Sequence, residues 1–291
     1  MSFSQIFKPR LMEANDVRTW RLDIGLWTII ICLTLSLSGC RQPGSNQPTP
    51  EATKQFLKLR GYEFNEKSFL AAAAAGDVMA VKGFLTAGMN PNAREGDDGD
   101  TALMAAAGRG DLEVLNVLLV GGADPNVEVR GGWSALLLAL TREQDAAADA
   151  LLDLKDLNLK GRAPNGTSAL MLAVWHEREG QATKLLERGA DPNYQDDAGD
   201  TALHGAAFRG NAMLAERLLA KGANPNVRNK LGGTPLMWAA SYGQDEVVRW
   251  LLAKGADAGV KDNKGATAAV WATRNKRTGV ATLLQAAGLR K

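Results

Sequence analysis

Residues 199–211, GDTALHGAAFRGN, followed at 218–226 by LLAKGANPN, hold one complete structural unit. Thr201 is an N-cap residue, whose side-chain oxygen accepts from a backbone N–H of the first helical turn, a donor otherwise unpaired. From Ala202 a short helix follows, with Leu203 and the Ala206–Ala207 pair on its inward face. A second helix ends in the Leu218–Leu219 pair, and Gly222 then supplies the left-handed conformation that a β-carbon opposes. Pro225 keeps the helix from resuming, and the Asn- and Gly-rich segment beyond it is turn chemistry.

The unit recurs along the chain. GDTALMAAAGRGD, GWSALLLALTREQ, GTSALMLAVWHER, GDTALHGAAFRGN, GGTPLMWAASYGQ and GATAAVWATRNKR align on Thr101, Ser134, Ser168, Thr201, Thr234 and Thr267, at intervals of 33, 34, 33, 33 and 33 residues. LLVGGADPN, LLERGADPN, LLAKGANPN and LLAKGADAG keep step with them. No such unit can bury its apolar face alone, so the units must stack and share one continuous core. The pattern resembles the ankyrin repeat, with its T-P-L-H-x-A signature, later leucine pair and Gly-Ala-Asp turn. That resemblance implies an all-α solenoid of helix–turn–helix units with projecting hairpin loops, about seven units with caps, over residues 54–291. KSFLAAAAAGD at 67–77 opens the array without a Thr cap, preceded by an extra helix near ATKQFLKLRG, and LLQAAGLRK closes it. The third unit is irregular: LLDLKDLNLKGRAPNG at 151–166 lacks the Gly-Ala-Asp-Pro-Asn turn and contains one extra residue. A kink or longer loop is expected there, and with it the weakest joint.

Composition narrows the function. Of 291 residues 45% are hydrophobic, enough for a sizeable core. The net charge of +2 comes without the concentrated basic face that nucleic-acid binding needs, so no nucleic-acid partner is expected. The two cysteines, Cys32 and Cys40, both lie near the N-terminus, leaving the repeats without a disulfide or a thiolate nucleophile.

Sixteen uncharged residues, IGLWTIIICLTLSLSG at 24–39, follow Lys8, Arg10, Arg18 and Arg21. This run suits a secretory signal and is short for a helix crossing a bilayer core, which needs about 20 residues. The LSGC that ends it resembles the lipobox of bacterial lipoproteins, which implies cleavage before Cys40 and lipidation of that cysteine. An uncleaved signal anchor is the alternative, and both readings put the rest of the chain outside the cytoplasm; a buried N-terminal helix in a cytosolic protein is a third. The basic region is long and contains Glu13, Asp16 and Asp23, which a start at Met12 would shorten. Without residues 1–39 the chain has 30 bases against 29 acids. Arg41 stands where an inner-membrane retention signal would have Asp, so the resemblance implies the periplasmic side, at the outer membrane in an organism that has one. Residues 40–53, lipidated Cys included, read as a flexible tether with a reach of roughly 20 Å.

Catalytic signals are absent. HEREG at 176–180 has Gly where a zinc-binding H-E-x-x-H needs its second His, and neither glycine-rich nucleotide fingerprint occurs. His204 occupies the signature's own histidine position, where the resemblance implies a hydrogen bond between neighbouring turns. Asp97, Asp98 and Asp100, like Asp196, Asp197 and Asp200, lie at hairpin tips without the spacing of a calcium loop, and read as solvated charge. A non-enzymatic protein with no cofactor and no metal is expected.

The remaining signal is aromatic. In the ankyrin framework the x position and the two residues after the Ala pair face the concave surface, which places Trp175, Phe208, Arg209, Trp238, Tyr242, Trp271 and Arg274 there. Trp, Tyr and Arg are the types enriched in binding hot spots. The competing reading has Trp238 fill the space left by Gly205 on the neighbouring unit. Trp250 in VVRWLL reads as core, and Trp133 as a hairpin-tip residue. The expectation is an exported, lipid-anchored monomer that holds a protein partner in its groove; the alternatives are an inhibitor or immunity protein of a secreted enzyme or toxin, an enzyme built on a solenoid, and a structural spacer.

Overall fold

Caps decide where each helix begins. In the computed structural model, which describes residues 48–96 and 99–288, the side chains of Thr101, Ser134, Ser168 and Thr234 accept from the backbone N–H of Met104, Leu137, Met171 and Met237. Thr201 forms a capping box with His204, whereas Thr267 makes no side-chain cap bond. The described residues form fifteen α-helices and no strand, beyond the isolated bridges Arg94–Thr101 and Arg162–Ser168. None of these helices is long and apolar enough to cross a membrane. The expected signal segment and Cys40 lie outside the described residues.

The first helix, α1 (Pro50–Leu59), is capped by Thr49 and has Pro at its first position. It starts ahead of the expected boundary at 54, so residues 50–53 are helical rather than tether, and Thr53 is buried. Seven helix pairs follow: α2 (Glu66–Ala75) and α3 (Val78–Thr86); α4 (Ala102–Arg109) and α5 (Leu112–Val120); α6 (Ala135–Thr141) and α7 (Asp145–Leu152); α8 (Ala169–Trp175) and α9 (Glu179–Glu187); α10 (Ala202–Arg209) and α11 (Ala212–Ala220); α12 (Pro235–Tyr242) and α13 (Asp245–Ala253); α14 (Ala268–Arg274) and α15 (Thr278–Gly288). Leu57 of α1 is fully buried, and Arg60 grips the carboxylate of Asp77, the N-cap of α3, at 2.8 and 2.9 Å. This clamp ties α1 to the first pair.

Between the two helices of a unit one residue must take a left-handed conformation. Gly76, Gly110, Gly210 and Gly243 do so at φ near +75°. In units three, four and seven, Glu143, Glu177 and Lys276 hold the same position at φ 56° to 59°, a region that costs a β-carbon-bearing residue energy. The first helices, α2 to α14, lie side by side, and so do the second helices, but the first approach each other more closely. Pairs of fully buried alanines, such as Ala106–Ala107 and Ala239–Ala240, permit that approach. A solenoid with one tight layer curves toward it, so the first helices line the concave side.

The loops carry their own ladder. Asn92, Asn126, Asn193 and Asn226 each accept through Oδ1 from a backbone N–H one unit on, at Asp124, Asn158, Asn224 and Asp257, with distances of 2.6–2.8 Å. Asn126, Asn193 and Asn226 also donate to the carbonyls of Asp156, Gly222 and Gly255. Among the described residues no such bond joins the third unit to the fourth, the joint where the turn sequence is missing. Arg188 bridges it instead, donating to the carbonyls of Leu152 (2.5 Å), Lys155 (3.1 Å) and Leu157 (3.4 Å) and so capping the C-terminus of α7. Lys184 adds ion pairs to Asp149 and Asp153, and Arg178 adds them to Glu143 and Asp145. The expected loop is present, but side chains of α9 and its flanks fasten it.

Candidate functional site: an aromatic face on the concave layer

The final turns of the concave helices bring four rings together. Trp175 ends α8, Phe208 lies in the last turn of α10, and Trp238 and Tyr242 lie one turn apart on α12. Phe208 is the hub: its ring centroid is 5.0 Å from Trp175, 5.9 Å from Trp238 and 4.4 Å from Tyr242, all in tilted or edge-on geometry. Trp238 and Tyr242 stack at 6.2 Å with an interplanar angle of 8°. Such arrangements match the attraction between a ring's positive edge and its neighbour's negative face. The cluster spans three successive units and opens to solvent at Tyr242, which is 43% exposed.

The rings differ in role. Trp238 does not stand free of the core: it is half-buried and packed against it, and its indole Nε1 is closed off from solvent with no hydrogen-bond partner among the described residues. The space over Gly205 belongs to Trp175 rather than to Trp238, because a β-carbon at Gly205 would meet the Trp175 indole and Val174, each at 3.4 Å. Trp271 stays outside the cluster. Its Nε1 donates to Asp262 in the hairpin of its own unit at 2.9 Å. The backbone N–H of Ala266 and this indole hold the Asp262 carboxyl below the usual range. Trp250 is half-exposed on α13 with Lys254 against its face, contrary to the expectation that it belongs to the core, whereas Trp133 packs against the core.

Charge frames the rings. Arg209 lies 5.7 Å from the Phe208 centroid and 3.8 Å from Glu177, with its side chain 40% exposed. Arg274 is exposed at the end of α14. Arg109 and Arg142 end the concave helices of units two and three, Arg142 lying across Gly108, where a β-carbon would come within 2.9 Å of its guanidinium. Spacing identifies both as groove positions: Arg109, Arg142 and Arg209 each stand eight residues after the capping Thr or Ser of their unit, and Arg274 seven residues after its own.

His204 is framework. It is 1% exposed; its Nδ1 accepts from the backbone N–H of Thr201 at 3.1 Å, and its Nε2–H donates to the carbonyl of Gly233 in the next unit at 3.2 Å. Burial drives its pKa down to about 4, so the ring is neutral. The hairpin acids are engaged too: Asp196 accepts from the N–H groups of Ala198 and Asp200, and Asp200 from the amide of Asn229. No group of three or more His, Cys, Asp or Glu among the described residues is placed to hold a metal ion.

A family model described as ankyrin repeats, in three copies, matches residues 45–129, 103–196, 177–262 and 203–291. Among solved structures, the ankyrin repeat domain of Bcl-3, a member of the IkappaB protein family, is 29% identical with a TM-score of 0.62, over 75% of this chain and 97% of that one. An ankyrin repeat domain from Acinetobacter baumannii AYE is 27% identical with a TM-score of 0.59, over 64% and 97%. No curated protein matches. The matched segments run without a gap from residue 45 to residue 291, over the same paired helices and glycine turns, and the chain belongs to the ankyrin repeat family.

Proposed function

We propose that this protein is an exported, membrane-anchored binding module that holds a protein partner in its concave groove and catalyses nothing. Ankyrin repeat domains typically serve as protein–protein interaction modules. The observation that carries the groove reading is the cluster of Trp175, Phe208, Trp238 and Tyr242, an aromatic surface continuous across three units and open at Tyr242. Trp175 and Trp238 also pack on the core, but Tyr242 and the open side of the cluster do not, and contiguous exposed apolar patches mark interaction sites. Export rests on the apolar run at 24–39 and its basic flank, and anchoring on Cys40 in LSGC.

Tyr242 gives the cleaner test, since Trp238 also packs on the core. Tyr242→Ala should change urea unfolding by no more than about 1 kcal/mol, the scale of the lost ring contacts, and weaken partner retention by about 2 kcal/mol or more. Unchanged retention by this variant would remove the aromatic face as the anchor. Lipidation is read separately: radioactive palmitate should label the wild-type protein, and Cys40→Ser should lose both label and cleavage. Unlabelled, full-length wild-type protein would leave the uncleaved signal anchor in its place.

A further inference from the structure

The concave layer has a one-sided charge. The six first helices from α4 to α14 contain no Asp or Glu at all, and their charged side chains are Arg109, Arg209 and Arg274, with Arg142 immediately following α6. All four arginines are exposed; among the described residues their one ion pair is the long contact of Arg209 with Glu177 at 3.8 Å, and Arg274 is also near enough to Asp262 for its charge to help hold that carboxyl low. The nearby turn acids are already engaged: Glu143 by His176 and Arg178, Asp145 by Arg178, and Glu179 by Asn211. Cations are favoured near helix C-termini, which accounts for basic residues at these ends. It does not account for arginines that among the described residues donate to no last-turn carbonyl, that recur at the concave ends of four units, and one of which, Arg209, lies against a ring of the open aromatic cluster.

From this complementarity we propose that the occupant of the groove is an acidic protein segment, with an apolar or aromatic side chain seated on the Phe208–Tyr242 cluster and carboxylates on either side of it. This rests on the groove reading above and names the partner's chemistry. Guanidinium groups pair with carboxylates bidentately, and a pair formed beside a ring that excludes water is stronger than one in open solvent. Arg209 and Arg142 receive the carboxylates on one side of the anchor, and Arg274 those on the other. Neighbouring concave helices lie about 10 Å apart, so Arg209 and Arg274, two units apart, are spanned by roughly six extended residues. The order of recognition elements is therefore acid, anchor, acid within one short segment.

The test uses the full chain, purified in detergent and immobilised, as the target for a phage library of random linear peptides. Enriched peptides should carry a Trp, Phe or Leu anchor flanked by Asp and Glu. The same selection on the triple variant Arg142→Gln/Arg209→Gln/Arg274→Gln should keep the anchor and lose the acids. A synthetic copy of the dominant peptide should bind wild type at least tenfold more tightly than its copy with amides in place of carboxylates. Urea unfolding of the triple variant, whose substituted side chains are exposed, checks that it folds. Anchored peptides with neutral or basic flanks, selected equally by wild type and triple variant, would overturn the acidic partner and leave the groove standing. Peptides indifferent to Tyr242→Ala, or no enrichment at all, would overturn both. Arginine-dependent binding of phosphatidylglycerol vesicles without acidic enrichment would assign the row to a membrane surface instead.

Discussion

His204 shows how much one side chain can be asked to do. It caps its own helix through Thr201 and ties it to the next unit through Gly233; the first role, in which Nδ1 accepts, needs a neutral ring, whereas the second, in which Nε2–H donates, favours the charged form and is outweighed by burial. Its folded pKa of about 4 lies below the ordinary value of 6.5, so the unfolded chain binds the proton more tightly. Its contribution is therefore complete above about pH 6.5 and is lost as pH falls toward 4, by roughly 2 kcal/mol at pH 5. Asp196 and Asp200 face the same ring, and burial raises both of their pKa values, so they act in the opposite sense at lower pH. Comparison with His204→Gln isolates the histidine: the stability gap between wild type and variant in urea should narrow by that amount from pH 7 to pH 5. A gap constant with pH would mean that the ring is not held neutral.

At the scale of the element, the joint between units three and four departs from the simplest reading of the sequence. The missing Gly-Ala-Asp-Pro-Asn turn removes the asparagine bonds that link the other loops, but Arg188 caps α7 in their place. Hydrogen bonds from a charged donor contribute about 1.5–3 kcal/mol. Weakness here is thus conditional on one side chain. In Arg188→Ala, amide exchange over α7 and residues 153–159 should accelerate by about ten- to a hundredfold, corresponding to roughly 1.4–2.8 kcal/mol, while α10 to α13 keep wild-type protection. Exchange in α7 that does not respond would show that Lys184 and Arg178, with their aspartates and Glu143, suffice.

Across the whole molecule, stability is a sum over units and interfaces, and the ends have one neighbour each. The N-terminal end is closed by α1, whose Leu57 is fully buried and whose Arg60 is clamped to Asp77. Unit seven is less well held: α14 buries only Ala268 and Ala272, where α2 of the first unit buries Phe69, Ala72 and Ala73. Native-state hydrogen exchange should find α14 and α15 opening at lower free energy than α2 and α3. Equal protection at the two ends would contradict this. The same gradient has a functional side, since Arg274 stands on the least stable unit while the aromatic cluster rests on the better-held units before it.

Local chemistry settled a great deal. The period of 33, the Thr or Ser ahead of each first helix, the glycine that follows the leucine pair in four units and the leucine and alanine stripes were legible because each is a local rule repeated in register. The concave positions were legible too, since the spacing of the framework residues leaves them out. What spacing does not contain is how a side chain crosses from one unit to the next. That Trp175 rather than Trp238 takes the space over Gly205, that Trp238 leans on the core while Tyr242 stays open, and that Trp271 turns to Asp262 were decided by which neighbouring backbone stood closest once the helices stacked. Arg188 is the clearest case, because a long flexible cation carries no periodic signal of its own. It found the last carbonyl of α7 and two in the loop that follows only because tertiary packing left them within reach, and a buried carbonyl left without a donor costs more than the ordering of one arginine.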